Sequence, residues 1–208
     1  MSASFIVIDT TRLPADRFDD FAAQWRERAA IASKAKGFRS ARLHRALQDG
    51  PLPLVMVAEW ASRADRDAAL ADNRFQASAQ SSGEYAIVQG STYEVAAEYR
   101  SDAAPQGDGI TFVNAFELPT EKVEEFIAHW HGRAELMSHA SGFRDNRLHR
   151  TTEPGAQFAL VNVAHWDSAD AWRAAGANPA FQQRLSAAPA YATANPALYE
   201  IVARFPEA

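Results

Sequence analysis

Two segments of the chain carry apolar side chains at the three- and four-residue spacing of a helix. Each segment has a proline near its start, acidic residues soon after it and a glycine at its end, which are the usual start and stop signals of a helix. The spacing predicts two amphipathic helices, and it makes Trp25 and Trp130 core residues of those helices rather than site residues. The apolar positions are Phe18, Phe21, Ala22, Trp25 and Ala29 in the first segment and Val123, Phe126, Ile127, Trp130 and Ala134 in the second.

Runs of β-branched and aromatic residues flank these two helices. SFIVIDT and GITFVNAF precede them, and two further β-type runs, a second helical region and a last strand follow each of them. The later strands are FRSARLHRAL, LVMVAEW and STYEVAAEY in the first half and FRDNRLHRTT, FALVNVAHW and ALYEIVARF in the second. Both halves therefore predict the order β-α-β-β-α-β, which is the ferredoxin-like plan.

The two halves of the chain are copies of one another. GFRSARLHRAL begins at Gly37 and GFRDNRLHRTT begins at Gly142, 142 − 37 = 105 residues later. The match continues through most of each half, so it indicates a duplicated domain. We predict a first domain over residues 1–100, a linker over residues 101–109 that contains one proline and two glycines, and a second domain over residues 110–208.

A single ferredoxin-like sheet has helices on one face and leaves the other face bare. Large apolar sheet faces are unstable in water, so the bare face needs a cover, and the second copy in the same chain can supply it. The predicted fold class is therefore α+β, with two tandem ferredoxin-like domains packed sheet to sheet as a pseudo-dimeric α/β barrel. Association of two chains into a further homodimer is left open.

Composition excludes several classes of function. The chain has 208 residues, 47% of them hydrophobic, which is enough for two small cores, and its net charge of −5 lacks the basic footprint of nucleic-acid binding. No apolar run approaches the roughly 18 residues of a membrane span, and the start MSASFIVIDT lacks the pattern of a secretory signal. With no cysteine, disulfides and thiolate chemistry are excluded. We expect a cytoplasmic protein without nucleic-acid or membrane partners.

One motif in the second half resembles a known family. The stretch VNVAHWDSADAWR, from Val161 to Arg173, together with the GF…R strand and GANPAF, is similar to sequences of the antibiotic biosynthesis monooxygenase family. It is especially similar to the VNxAxWxSxxAY stretch of the cofactor-independent anthrone oxygenases of aromatic polyketide pathways. The resemblance implies oxidation of a polycyclic phenol or anthrone to a quinone by molecular oxygen, with a small aromatic substrate, no bound cofactor and no metal.

The same resemblance implies which residues form the pocket. Asn162, Ala164 and Trp166 share one face of their strand, because side chains two residues apart point the same way. The resemblance makes Asn162 and Trp166 catalytic residues and adds Asn114 and Trp172 as substrate-binding residues. These residue types suit an enzyme that must bind an aromatic anion, since Asn donates a hydrogen bond and Trp offers a stacking surface.

Trp60 and His149 complete the candidate substrate-binding residues. Trp60 is the first-copy counterpart of Trp166, and His149 lies on the strand before the one that carries Asn162. His149 or His165 could also take the proton of the substrate, although a structural role between the sheets is the favoured interpretation. The histidines lack the HxH and HExxH spacings of metal sites, so no metal site is predicted.

The first copy departs from the motif at three of these positions. The sequence therefore predicts an asymmetric pair with the chemistry in the second copy, and two working sites are the alternative. A non-oxidative polyketide cyclase or isomerase, or a binding protein for aromatic ligands, also stays open, because either function needs the pocket without the reaction with oxygen. The first copy has Met56 in place of Asn162, Arg66 in place of Trp172 and Asp9 in place of Asn114.

Overall fold

The computed structural model describes residues 4–107 and 109–206, and over them the chain passes twice through the same order of elements. Residues 1–3, 207 and 208 of the predicted domains, and residue 108 of the predicted linker, lie outside the described residues. The fold class predicted from the sequence is confirmed, because the chain is α+β and carries two ferredoxin-like copies. No helix among the described residues is long and apolar enough to span a membrane.

The first copy begins with a strand and ends with a long strand. A short 3-10 turn, Ala15–Arg17, leads from β1 into α1. The elements are β1 (Phe5–Arg12), α1 (Phe18–Ala32), β2 (Phe38–Ala46), β3 (Leu54–Trp60), α2 (Arg63–Leu70), α3 (Asn73–Gly83) and β4 (Ile87–Arg100).

The second copy repeats this order. Its 3-10 turn, Thr120–Lys122, again precedes the long helix. The elements are β5 (Ile110–Glu117), α4 (Val123–Ser138), β6 (Phe143–Thr151), β7 (Leu160–Trp166), α5 (Ala169–Gly176), α6 (Pro179–Ser186) and β8 (Thr193–Phe205).

The chain forms two compact units. The first comprises Met1–Glu94 and Ile201–Ala208, and the second comprises Val95–Glu200. Within the first unit, β1 pairs antiparallel with β3 and β4, and β2 pairs with β3. The second unit repeats these pairings, with β5 between β7 and β8 and with β6 beside β7.

Local sequence explains where the helices begin and how each long helix is followed by a strand. Pro14 and Pro119 precede the 3-10 turns. Side chains cap the later helices, as when Ser62 accepts a hydrogen bond from the Asp65 amide. Gly37 and Gly142 adopt φ angles of +78° and +80° in the turns that lead into β2 and β6. These left-handed conformations favour glycine.

The long helix of each unit buries an aromatic face against its own sheet. Trp25 packs in the core of the first unit with Phe21, and Trp130 packs in the core of the second unit with Phe126. Both tryptophans are buried, as the helical spacing predicts. They are nevertheless more than core residues, since each of them also lines a cavity.

Candidate active site

The second unit contains a cavity of about 580 Å³, here called the second-unit cavity. Its walls come from β5, β6, β7 and β8 on the sheet side and from α4, α5 and α6 on the helix side. Four of the residues singled out from the sequence line it, namely Asn114, Asn162, Trp166 and Trp172. The structure therefore brings the second-copy motif and the first strand of that copy to one place.

Strand register explains how the two asparagines meet. Asn114 on β5 is directly opposite Asn162 on β7 in an antiparallel pair, and both side chains line the second-unit cavity. Directly opposed residues of such a pair have Cβ atoms about 5 Å apart. Ala164 and Trp166 follow on the same face of β7, which places the amides and the indole along one wall.

A hydrogen bond fixes the orientation of the Asn162 amide. Trp130 Nε1 on α4 donates to Asn162 Oδ1 over 3.2 Å, and both groups are buried. Because an indole N–H can only donate, the oxygen of this amide faces Trp130 and its NH₂ group remains as the donor. Trp130 therefore positions Asn162, a role that its place in the helical pattern does not reveal.

Three buried polar atoms of the second-unit cavity have no hydrogen-bond partner among the described residues. They are Asn114 Oδ1, Asn146 Oδ1 and Trp166 Nε1. Leaving a buried polar atom unpaired costs about 1 to 3 kcal/mol, so most native proteins pair nearly all of them. A group of three unpaired atoms in one cavity is typical of a place where a ligand supplies the missing partners. Asn146, on β6, was not singled out from the sequence.

A buried cation faces the same cavity. Arg133 on α4 is 9% exposed, lines the second-unit cavity and places its guanidinium 5.6 Å from the centre of the Phe126 ring. Burial lowers the pKa of Arg133. An arginine nevertheless stays charged in proteins, and this one has no carboxylate partner among the described residues. The repeat makes it the counterpart of Arg28, and its position on the apolar face of α4, three residues after Trp130, is the sequence signal that points to it.

Aromatic rings form the rest of the wall. The rings of Phe112 and Trp172 lie with centroids 5.0 Å apart at an interplanar angle of 32°, and both residues line the second-unit cavity. Trp166 is held edge-on by Phe143, with centroids 5.3 Å apart. A flat aromatic ligand therefore meets stacking surfaces here, with the polar atoms of the asparagines beside them.

His149 does not line the second-unit cavity. It is opposite Val161 and its Nδ1 atom makes a hydrogen bond of 3.1 Å to the Val161 carbonyl, on the other face of the sheet from Asn162. The physical reason is the β-bulge between Phe143 and Asp145, which reverses the alternation of side chains along β6.

His165 lies on that other face as well, where its Nδ1 atom is 2.8 Å from Asp145 Oδ1. Neither His149 nor His165 is therefore placed to take a proton from a ligand in the second-unit cavity. No group of three or more histidines, aspartates and glutamates in the described part of the chain is arranged to hold a metal ion.

Trp60 belongs to a separate cavity of about 460 Å³ in the first unit, here called the first-unit cavity. Asp9 on β1 and Met56 on β3 are opposite one another there, at the positions that Asn114 and Asn162 occupy in the second copy. Arg66, the counterpart of Trp172, lines the same cavity. The first copy therefore keeps a pocket and changes the groups inside it.

The sequence model of the antibiotic biosynthesis monooxygenase family matches residues 4–81 and again residues 109–184. The chain belongs to this family. The two matches account for most of both copies, so the tandem arrangement consists of two family domains. No functionally curated protein matches the sequence.

Several solved structures resemble the chain. An anthrone oxidase-like protein has a TM-score of 0.76 and 17% identity, over 98% of this chain and 93% of its own. A major regulator of staphylococcal pathogenesis has a TM-score of 0.58 and 9% identity, over 95% of this chain and 99% of its own. At these identities the likeness concerns the fold, and one fold hosts many functions. SnoaB from Streptomyces nogalater, a cofactor-independent oxygenase, is 30% identical over 49% of this chain and 100% of its own, with a TM-score of 0.42.

Proposed function

We propose that this protein is a cofactor-independent monooxygenase that oxidises a polycyclic phenol or anthrone-type aromatic polyketide to a quinone with O₂ in the second-unit cavity. The observation that carries the proposal is the set of unpaired buried atoms of Asn114, Asn146 and Trp166 in an aromatic-walled cavity. Two hydrogen-bond acceptors and one donor match the hydroxyl and carbonyl oxygens at the edge of such a ligand. Membership of the monooxygenase family supports the same choice.

Each lining group has a role in this proposal. Phe112 and Trp172 hold the flat rings of the substrate, and the Trp166 N–H together with the Asn162 NH₂ donates to the oxygen on which negative charge develops. The Arg133 guanidinium supplies positive charge within the same cavity. Donors that are already in place stabilise an oxyanion strongly, because little reorganisation is needed when charge appears.

The lining of the second-unit cavity suggests how the substrate loses its proton. As far as the described residues define this cavity, no carboxylate and no histidine lines it. The site is therefore suited to binding the substrate as its anion, because Arg133 and the amide donors stabilise the negative charge and so favour loss of the substrate proton. A positive group close to a phenol favours its ionised form. The pH dependence of oxidation should then follow the ionisation of the substrate.

The reaction balances without another reductant. The substrate anion gives one electron to O₂, and the resulting radical pair combines to form a carbon–oxygen bond. The peroxide on the former CH₂ carbon then loses water, so that one CH₂ group and one O₂ molecule become one carbonyl group and one water molecule. All electrons come from the substrate, and the protein contributes binding, orientation and charge stabilisation.

The test follows oxygen uptake and quinone absorbance when metal-stripped protein is mixed with emodin anthrone in air. The proposal expects one O₂ consumed for each quinone formed, at a rate above that of the uncatalysed reaction. Trp166→Phe and Asn162→Ala should each remove most of this acceleration, and Met56→Ala serves as the counterpart change in the first copy. Tight anthrone binding without acceleration would contradict the proposal and would favour the non-oxidative cyclase, isomerase or binding function.

The partners of the chain belong to the same proposal. The double match of the family in one chain supports an intramolecular pseudo-dimer of the two repeats. A further homodimer and a cytoplasmic location stay predictions from the sequence. Sedimentation of the purified chain over a range of concentrations would separate a monomeric tandem protein from a homodimer.

A further inference from the structure

The first-unit cavity has the walls of an aromatic-ligand site. Trp25, Phe38, Trp60 and Phe75 line it, and the rings of Phe38 and Trp60 are in edge-to-face contact with centroids 5.2 Å apart. Its volume of about 460 Å³ falls in the usual range of small-molecule pockets. Its charged lining consists of Asp9 and of two arginines.

Asp9 projects into this cavity from the middle of the sheet. It is opposite Met56 on β3 and opposite Gly90 on β4. The carboxylate occupies the space above Gly90, where a Cβ atom would collide with Asp9 Oδ1. Among the described residues Asp9 has no hydrogen-bond or ion-pair partner, so its carboxylate is available to a ligand.

The two arginines of the cavity are held by other groups. Arg28 on α1 donates to Ser82 Oγ over 2.6 Å and to the Ser78 carbonyl over 3.1 Å. Arg66 on α2 is paired with Asp67 over 2.8 Å. Neither arginine forms an ion pair with Asp9, and their positive charges would help to stabilise an anion formed in the cavity.

The surroundings of Asp9 make its carboxylate more basic. Burial raises its pKa to about 6, and the positive charges of Arg66 and Arg28 limit the rise. A carboxylate that titrates near 6 is mostly ionised at neutral pH and is a stronger base than an ordinary aspartate. No other carboxylate, histidine or lysine faces it from the described elements that line the cavity.

We propose that the first-unit cavity is a second catalytic site, in which Asp9 acts as a general base on an enolisable aromatic ketone. The C–H bond next to the carbonyl breaks, its proton forms an O–H bond on Asp9, and its electron pair stays on the ligand as an enolate. Return of the proton to another atom of the ligand completes a tautomerisation. No electrons leave the ligand, so this step needs no oxidant, in contrast to the chemistry proposed for the second copy.

The test measures hydrogen–deuterium exchange at the carbon next to the carbonyl of 2-tetralone in D₂O by proton NMR. The full-length protein is expected to accelerate exchange above the buffer rate, with a rate that rises through about pH 6 and then levels off. Asp9→Asn, which keeps the shape and removes the base, should lower the protein-catalysed rate at least about tenfold. Asp49→Asn, the same change at an exposed loop position of the same unit, is the control for general effects of lost charge.

A second variant keeps the aspartate and moves it. Gly90→Ala places a Cβ atom where the Asp9 carboxylate lies, so the carboxylate must shift while its charge remains. Exchange is expected to fall several-fold in this variant. Exchange at the buffer rate in the unmodified protein, or unchanged exchange in Asp9→Asn, would overturn the proposal. Anthrone oxidation is a separate reaction with a separate substrate, so failure of one proposal is distinguishable from failure of the other.

Discussion

The two cavities of this protein share a scaffold and differ in the groups at matching positions. In the second copy, Asn114 and Asn162 are opposite one another and present amide groups. In the first copy, Asp9 and Met56 occupy the same register, so a carboxylate faces a thioether. One pair can hold an oxyanion by donating hydrogen bonds and the other pair can accept a proton. The two copies therefore both keep a pocket and line it with groups of different chemical character.

The buried arginines of the two cavities differ in their hydrogen bonds. Arg28 is bound by Ser82 and by the Ser78 carbonyl, which makes it part of the structure of the first unit. Arg133 is buried to the same degree but has no hydrogen bond to protein groups among the described residues. Burying a cation without a hydrogen-bond partner is costly, so the position of Arg133 in the second-unit cavity supports the proposal that the ligand binds there as an anion.

The largest expected effect comes from making the second copy resemble the first. Asn162→Met removes the amide and introduces the thioether that the first copy has at this position. We expect kcat/KM for anthrone oxidation to fall about 10²- to 10³-fold, because the loss of one preorganised oxyanion donor has an effect of this size. Steady-state oxygen uptake measures the change. An activity within twofold of the unmodified protein would show that the amide is not part of the reaction.

The next effect concerns stability. Asp9 binds its proton more tightly in the folded than in the unfolded chain, since burial raises its pKa from 3.8 to about 6. Its contribution is therefore most favourable below about pH 4 and is lost as the pH rises through 6, at a cost of up to about 3 kcal/mol above that pH. Asp9→Asn should be more stable than the unmodified protein at pH 7.5 and gain little at pH 4. Urea unfolding at both pH values decides this, and an equal change at the two would contradict the raised pKa.

Matched arginine changes separate a structural cation from a ligand-binding one. Arg28→Met should lower the free energy of unfolding by about 1 to 3 kcal/mol, because it removes the donor to the buried Ser82 hydroxyl. Arg133→Met should leave stability unchanged or raise it, and should instead lower kcat/KM about tenfold and move the pH profile of oxidation upward. Parallel unfolding curves and pH–rate profiles distinguish the two roles. Equal losses of stability in the two variants would show that Arg28 and Arg133 have the same structural role.

Much of the fold follows from the sequence because the repeat and the periodicities agree. The helical spacing around Trp25 and Trp130, and the two copies of the GF…LHR strand, each predict the element that the structure contains. The resemblance to the family named both Asn114 and Asn162. That the two residues are directly opposite one another depends on strand register, which periodicity alone does not give.

There are physical reasons why the sequence selected one residue outside the cavity and missed others inside it. Asn146 and His149 lie on β6, where the bulge after Phe143 reverses the alternation, so counting by twos from Phe143 selects His149 and passes over Asn146. Arg133 has a charge that suggests a solvent-facing position, although the structure buries it. Comparison of the two copies shows Asp9 only as the residue that replaces Asn114. The rise of its pKa could not be predicted from the sequence, because it depends on burial in the folded chain.

The smallest expected effect tests how Asn162 is positioned. Trp130→Phe keeps an aromatic ring in the core and removes the N–H that donates to Asn162 Oδ1. The loss of one neutral hydrogen bond should lower the free energy of unfolding by about 1 kcal/mol. The rate of oxidation should fall only a few-fold, because the amide of Asn162 can still reach the substrate. Trp25→Phe is the matched control, since Met56 offers its indole no amide oxygen. Stability and oxygen uptake are measured on both variants. If the two changes lowered oxidation equally, the hydrogen bond from Trp130 would have no part in the reaction.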